Sequence, residues 1–259
     1  MKEELNVVLI QAPLVWENPK ANRDYFTTKI KEINNKTDLI ILPEMFTTGF
    51  TMNVKPNAET MEGETIKWML QTAVERDLAI TGSLIIFENE KYFNRLLFIT
   101  PEGDLFQYDK KHLFTLANEQ EHYSPGTKKL IVAFKGWNIC PLICYDLRFP
   151  VWSRNVEEYD VLLYVANWPE ARTKAWDVLL QARAIENMVY CIGVNRIGKD
   201  GNDFNYVGHS AVYDSLGNMI SPPSHVNDDI VTVTLKKSHL NEVRKKLKFL
   251  NDRDNFTIV

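Results

Sequence analysis

The stretch Asn138-Ile139-Cys140-Pro141-Leu142-Ile143-Cys144-Tyr145-Asp146-Leu147-Arg148-Phe149-Pro150 passes from a strand signal to a helix signal within a few residues. Residues 138–143 read as a strand. Pro150 is pre-set for a first helical turn, which predicts a helix over 150–157. A thiol, Cys144, lies at the junction. The same alternation runs outward in both directions. Upstream, strands are expected at residues 6–10, 38–42, 79–87, 93–100 and 130–134, with helices at 22–33 and 64–76. The strand at 93–100 ends in the turn Pro101-Glu102-Gly103-Asp104. Downstream, a strand at 161–165, a helix at 174–188 and strands at 189–194, 209–213 and 230–235 lead into a terminal helix. Helical segments mixed with adjacent strand pairs point to helices packed on mixed sheets, an α/β fold with two sheets inside and helices outside. No repeat, linker or low-complexity segment interrupts the pattern, so residues 1–259 read as one domain.

The bulk properties bound the function. Hydrophobic residues make up 45% and charged residues 25% of 259 residues, the profile of an ordinary globular chain. The net charge of -4 and pI of about 5.8 give no basic face for nucleic acid. The one basic run, residues 236–248, interleaves Leu240, Val243 and Leu247 at helical spacing and reads as a solvated amphipathic helix. MKEELNVVLIQAP does not read as a signal peptide, and no apolar run approaches the roughly 20 residues needed to span a bilayer. Three cysteines without a secretion signal argue for free thiols in a reducing compartment, so cytoplasm is expected.

Three residues that follow predicted strands carry candidate chemistry, because reactive groups in α/β sheets lie beyond the carboxyl ends of strands. Glu44, in Leu42-Pro43-Glu44-Met45-Phe46, follows a wholly buried strand. Desolvation favours the neutral acid, which suits a carboxylate to proton transfer near neutral pH. A solvated loop glutamate is the competing reading. Lys110, in Tyr108-Asp109-Lys110-Lys111-His112-Leu113-Phe114, could be a buried cation or half of a surface lysine pair. Cys144 could be a nucleophile whose pKa is lowered by a helix N-terminus and a nearby cation, or a small buried hydrophobe, as expected for Cys140 and Cys191. Together a glutamate, a lysine and a cysteine suffice for acyl transfer: base, oxyanion partner and nucleophile, with the Tyr145 backbone N–H as a second oxyanion donor.

These three segments, in this order, resemble the nitrilase or carbon–nitrogen hydrolase superfamily. The family pattern Lys-x-His-Leu selects Lys110 over Lys111, which the residues by themselves leave open. The resemblance implies a four-layer αββα sandwich with two mixed β-sheets, a Glu44-Lys110-Cys144 triad, and neither metal nor organic cofactor. It also implies a second glutamate upstream of a Pro-Gly. Glu119 fits, in Asn118-Glu119-Gln120-Glu121-His122-Tyr123-Ser124-Pro125-Gly126, where it would hold Lys110; Glu121 reads as a solvated loop residue. His112 is then a structural member of the lysine loop rather than the base of a Cys–His hydrolase. His209 reads as a satisfied strand histidine.

Val165-Ala166-Asn167-Trp168-Pro169-Glu170, Gln181-Ala182-Arg183-Ala184-Ile185-Glu186-Asn187 and Gly193-Val194-Asn195-Arg196 resemble the omega-amidase branch. That branch removes the terminal amide of 2-oxo dicarboxylic acid monoamides, such as 2-oxoglutaramate and 2-oxosuccinamate. Such substrates carry a remote carboxylate, so a cation is expected in the pocket. Arg148, Asn167 and Trp168 are candidate substrate contacts beside Tyr145, with Arg172 and Arg196 as further cations. Arg148 could instead pair with Asp146 or Glu186. Arg183 and Glu186 read as a structural pair on one helix face, and Trp168 could wall the pocket or pack in the core. Alternatives within the superfamily are an aliphatic amidase, a carbamoylase and a deaminated-glutathione amidase; a non-catalytic binding member is a further class. Relatives pair as symmetric dimers, so a homodimer or higher homo-oligomer is expected, with residues 148–154 and the helix ending at Met188 at the contact.

Overall fold

A computed structural model describes residues 2–33, 36–222 and 227–257. In chain order the strands are β1 (Glu4–Gln11), β2 (Leu39–Ile41), β3 (Ala79–Glu88), β4 (Lys91–Ile99), β5 (Leu105–Asp109), β6 (Val132–Phe134), β7 (Trp137–Ile143), β8 (Val161–Ala166), β9 (Tyr190–Asn195), β10 (Ile197–Lys199), β11 (Asn205–Val207), β12 (Ala211–Tyr213) and β13 (Asp229–Lys236). The α-helices are α1 (Pro19–Lys31), α2 (Val54–Asn57), α3 (Glu64–Arg76), α4 (Pro150–Ser153), α5 (Thr173–Asn187) and α6 (Lys237–Leu247). Among the described residues, one sheet runs β13-β1-β2-β3-β4-β5 and the other β12-β9-β8-β7-β6. Both are mixed. β1, β2 and β3 are parallel in the first, and β7, β8 and β9 in the second.

Alternation along β1 shows how the layers form. Val7 and Leu9 face the second sheet and join its Ile139, Leu163 and Ile192 in the central core. Val8 and Ile10 point the other way, onto Phe26 and Ile30 of α1 and Ile66 and Met69 of α3. Successive strand residues point to opposite faces, so a strand between two apolar layers must be apolar throughout. Trp176, Leu180 and Ala184 of α5 cover the outer face of the second sheet. The result is the αββα sandwich.

Several boundaries differ from expectation for local reasons. α1 begins at Pro19 rather than residue 22, because the Asn18 side chain accepts the Ala21 N–H and Pro19 fills the first turn. The helix expected over 150–157 stops at Ser153. Beyond it Asn155 is buried and spent on other backbone, accepting the Tyr159 N–H at 3.0 Å and donating to the Tyr159 and Asn187 carbonyls. β5 and the β10–β11 hairpin were not anticipated. His209 lies before β12, not within a strand, at φ 58°. Its Nδ1 is 3.1 Å from the Asp177 carboxylate.

Candidate active site

Glu44 follows β2, Lys110 directly follows β5, and Cys144 directly follows β7, so the two sheets deliver these side chains to one end of the sandwich. Glu44 is fully buried. Its Oε1 accepts from Lys110 Nζ at 2.9 Å and from Asn94 Nδ2 at 2.8 Å, and its Oε2 accepts the Asn167 N–H at 2.8 Å. Asn167 Nδ2 donates to the Glu44 carbonyl at 2.5 Å, so Asn167 clamps both ends of this residue. Lys110 Nζ also donates to both Glu119 oxygens and lies 5.0 Å from the centre of the Phe50 ring. Glu119 is fixed in turn by the Phe114 N–H at 2.5 Å. Gly126 donates its N–H to the Lys110 carbonyl, and a Cβ there would stand 2.1 Å from the Asp109 carbonyl oxygen, so only glycine permits this approach. Lys111, the other lysine of the pair, is half-buried over Trp152, and Glu121 is exposed.

Electrostatics follow from burial. Desolvation works against the Lys110 charge, but the Glu119 and Glu44 carboxylates outweigh it and hold the ammonium above the ordinary lysine range. Burial raises the Glu119 carboxyl; Lys110 opposes the rise and Glu44 adds to it. Cys144 corrects the expectation of a lowered thiol pKa. Burial and the negative charge of Glu44 push the thiol well up, and Lys110 offsets this only in part. A helix terminus lowers the thiol little here, because Cys144–Arg148 is a 3-10 helix of only five residues with a small dipole. Cys144 therefore rests as a thiol and needs a base to become a nucleophile. Its φ of +43° is left-handed, a strained conformation for a residue with a Cβ. Its sulfur is 3.9 Å from the Asn167 carbonyl oxygen. Cys140 and Cys191 are fully buried, away from the cavity, and burial raises both.

A cavity of about 440 Å³ opens in front of Cys144. Glu44, Lys110, Cys144, Tyr145, Asn167 and Trp168 form part of its wall. Arg148 and Arg172 line it as well. Arg148 lies over the Trp168 ring at 4.9 Å and Arg172 over Phe114 at 5.1 Å. Among the described residues neither guanidinium has a carboxylate partner, so the suggested pairing of Arg148 with Asp146 or Glu186 does not occur. Glu186 pairs with Arg183 instead, as the helix spacing indicates. Asp146 faces Tyr108 and His112. Trp168 both walls the cavity and packs against Trp176. Arg196 does not line the cavity; it is buried against the carbonyls of Leu14, Ile197 and Lys199.

The wall also holds Phe50, Phe114, Asp200 and Tyr206, which the sequence reading did not single out. Tyr206 donates to Asp200 at 2.8 Å. A partial signal was available: Gly201 lies in the turn of a β10–β11 hairpin that starts directly after Asn195-Arg196. Among the described residues no group of three or more His, Cys, Asp or Glu side chains is placed to hold a metal ion, and no helix is long and apolar enough to cross a membrane.

The family model described as carbon-nitrogen hydrolase matches residues 6–245. The chain is 42% identical to "Omega-amidase YafV" of Yersinia enterocolitica, over 98% of this chain and 99% of that protein. It is 29% identical to the "2-oxoglutaramate amidase" of Bacillus subtilis (strain 168), over 94% and 95% of the two chains. Among solved structures, XC1258 from Xanthomonas campestris, a CN-hydrolase superfamily protein with an arsenic adduct in its active site, superposes with a TM-score of 0.97 at 42% identity over 100% of both chains.

Proposed function

The chain belongs to the carbon–nitrogen hydrolase family, and we propose that it is an omega-amidase that converts 2-oxo dicarboxylic acid monoamides to the dicarboxylate and ammonia. One observation carries the substrate class: the cavity that holds the Cys144 thiol also holds two arginines that, among the described residues, have no carboxylate partner. A guanidinium fixed on an aromatic face is a ready partner for the remote carboxylate of such a substrate.

The reaction follows from the charges. Glu44 takes the Cys144 proton as the sulfur attacks the amide carbon. Lys110 and the Tyr145 N–H, which has no intrahelical acceptor at the start of its turn, meet the oxyanion. Glu44 returns the proton to the leaving nitrogen, ammonia departs and a thioester remains. Glu44 then takes a proton from water, hydroxide adds to the thioester, and Cys144 leaves with the proton from Glu44. Glu119 keeps Lys110 charged and in place throughout. Asn167 orients Glu44 through its N–H and Nδ2, while its buried Oδ1, without a partner among the described residues, is left for the substrate.

The test is a panel of amides. Ammonia release from 2-oxoglutaramate and 2-oxosuccinamate should exceed that from a simple aliphatic amide, an N-carbamoyl amino acid and deaminated glutathione by at least about 100-fold in kcat/KM, the scale of a charge-assisted contact. A preference for any of the last three would replace the substrate in this reading.

We further infer that the enzyme is a cytoplasmic homodimer. The free thiols fit a reducing compartment. Val151 on α4 and Val178 and Ile185 on α5 are exposed apolar side chains on the elements beside the nucleophile turn, a surface suited to self-association. Light scattering that gives the mass of one chain would refute the dimer.

A further inference from the structure

We infer that Asp146 is a positioning residue that sets where Cys144 stands relative to Lys110; the inference rests on the proposed roles of those two residues. Asp146 is fully buried, yet among the described residues it has no lysine or arginine partner. Its charge is met instead by four donors that come from both sides of the site. Oδ2 accepts the Ile143 N–H at 3.1 Å and the Tyr108 hydroxyl at 2.7 Å. Oδ1 accepts the His112 N–H at 3.0 Å and faces His112 Nδ1 at 2.8 Å. An acceptor-only carboxylate opposite that nitrogen keeps the imidazole proton on Nδ1.

The positions of these donors give the contact its meaning. Ile143 immediately precedes Cys144, and Asp146 lies two residues after it. Tyr108 and His112 lie two residues before and two after Lys110. Tyr108 belongs to the six-stranded sheet and Ile143 to the five-stranded one, so this single carboxylate ties the lysine segment of one sheet to the cysteine turn of the other. The Ile143 bond also closes the backbone around the left-handed φ of Cys144. The partners are themselves held. Tyr108 is buried, and its hydroxyl oxygen accepts from Trp152 Nε1 at 3.0 Å and the Lys111 N–H at 3.3 Å. The His112 ring stacks on Phe149, with centroids 3.7 Å apart and planes within 4° of parallel. Burying an unpaired carboxylate is costly unless it is fully hydrogen-bonded. An apolar residue could fill this space, but it could not hold two reacting segments at fixed separation.

The test uses the full-length protein with Asp146→Asn, Tyr108→Phe, the double variant, His112→Ala, and Cys144→Ala as control. Asp146→Asn should lower kcat for 2-oxoglutaramate about 100-fold with KM within about twofold, the effect of a small displacement of reacting groups. Tyr108→Phe and His112→Ala, which each remove one arm, should lower kcat about tenfold with KM unchanged. Because Tyr108 acts through Asp146, the double variant should be no slower than Asp146→Asn. A purely structural role would lower the melting temperature and leave kcat of the folded protein near wild type; that result would overturn the inference. Should Asp146→Asn not fold, wild-type kcat in both single-arm variants would overturn it equally. Iodoacetamide labelling of Cys144 at pH 8 needs no substrate, and should slow at least about threefold in Tyr108→Phe as Lys110 moves from the thiol. Activity retained by Cys144→Ala would sink the amidase mechanism instead, which separates the two failures.

Discussion

Glu119 holds Lys110 with both carboxylate oxygens, at 3.0 and 2.9 Å, and neither side chain is exposed. Glu44 shares the same ammonium through one oxygen only, at 2.9 Å. The second glutamate thus compensates the lysine and leaves Glu44 to interact with the thiol and Asn167. Glu119→Gln preserves shape but removes that charge. Its kcat should fall about 10- to 100-fold in a steady-state assay, the range for loss of a group that orients a catalytic partner. Glu119→Ala also empties the space and should destabilise the fold by about 3–5 kcal/mol in urea titration, as for a broken buried pair. Wild-type kcat in Glu119→Gln would remove Glu119 from the site.

Adjacent lysines give a sharp contrast. Lys110 is buried between two carboxylates, whereas Lys111 lies half-buried over Trp152. Lys110→Ala should lower kcat/KM by at least about 100-fold, the usual effect of losing an oxyanion partner. Lys111→Ala should stay within about threefold, as expected of a substitution outside the reacting groups. Equal losses in the same assay would contradict the assignment.

The three cysteines predict alkaline lability. Burial raises Cys140, Cys144 and Cys191, so the folded state keeps protons that the unfolded chain releases above its ordinary thiol pKa of about 8.5. The folded state then binds more protons, and stability, fully present below that pH, falls as pH rises. Three groups give a limiting slope of about 4 kcal/mol per pH unit. Urea midpoints should be flat from pH 7 to 8 and fall steeply from 9 to 10. Cys140→Ala with Cys191→Ala should leave a much shallower slope; an unchanged slope would assign the lability elsewhere.

The sequence made parts of this picture legible for physical reasons. β1, β2, β7 and β8 are apolar on both faces, so the two-sheet core announces itself. Glu44, Lys110, Glu119 and Cys144 stand in short motifs whose order matches the family, and the fold brings all four together. The β10–β11 hairpin was hidden because each strand has three residues and only Ile197 and Tyr206 are buried. The direction of the Cys144 shift is not legible in the sequence, because the motifs display the cation but not the depth of burial or the closeness of Glu44 that outweigh it. Asp146 stands in the sequence as one of two possible partners for Arg148, beside Glu186, because the donors Tyr108 and His112 that meet it instead are more than 30 residues away.

Arg148 and Arg172 should govern specificity rather than chemistry. Replacing either by Ala should raise KM for 2-oxoglutaramate about 10- to 100-fold, the loss of one charge-assisted contact. kcat for a neutral amide should be unchanged within about twofold. Parallel loss on both substrates would show that the arginines support the fold of the pocket, not the carboxylate.

The most direct measurement is ammonia release from 2-oxoglutaramate by the wild type and by Cys144→Ala, side by side. Turnover by the wild type, with at least about a 10⁴-fold loss in the variant, is the predicted result for a covalent nucleophile. No release by the wild type, or comparable release by Cys144→Ala, would contradict the account.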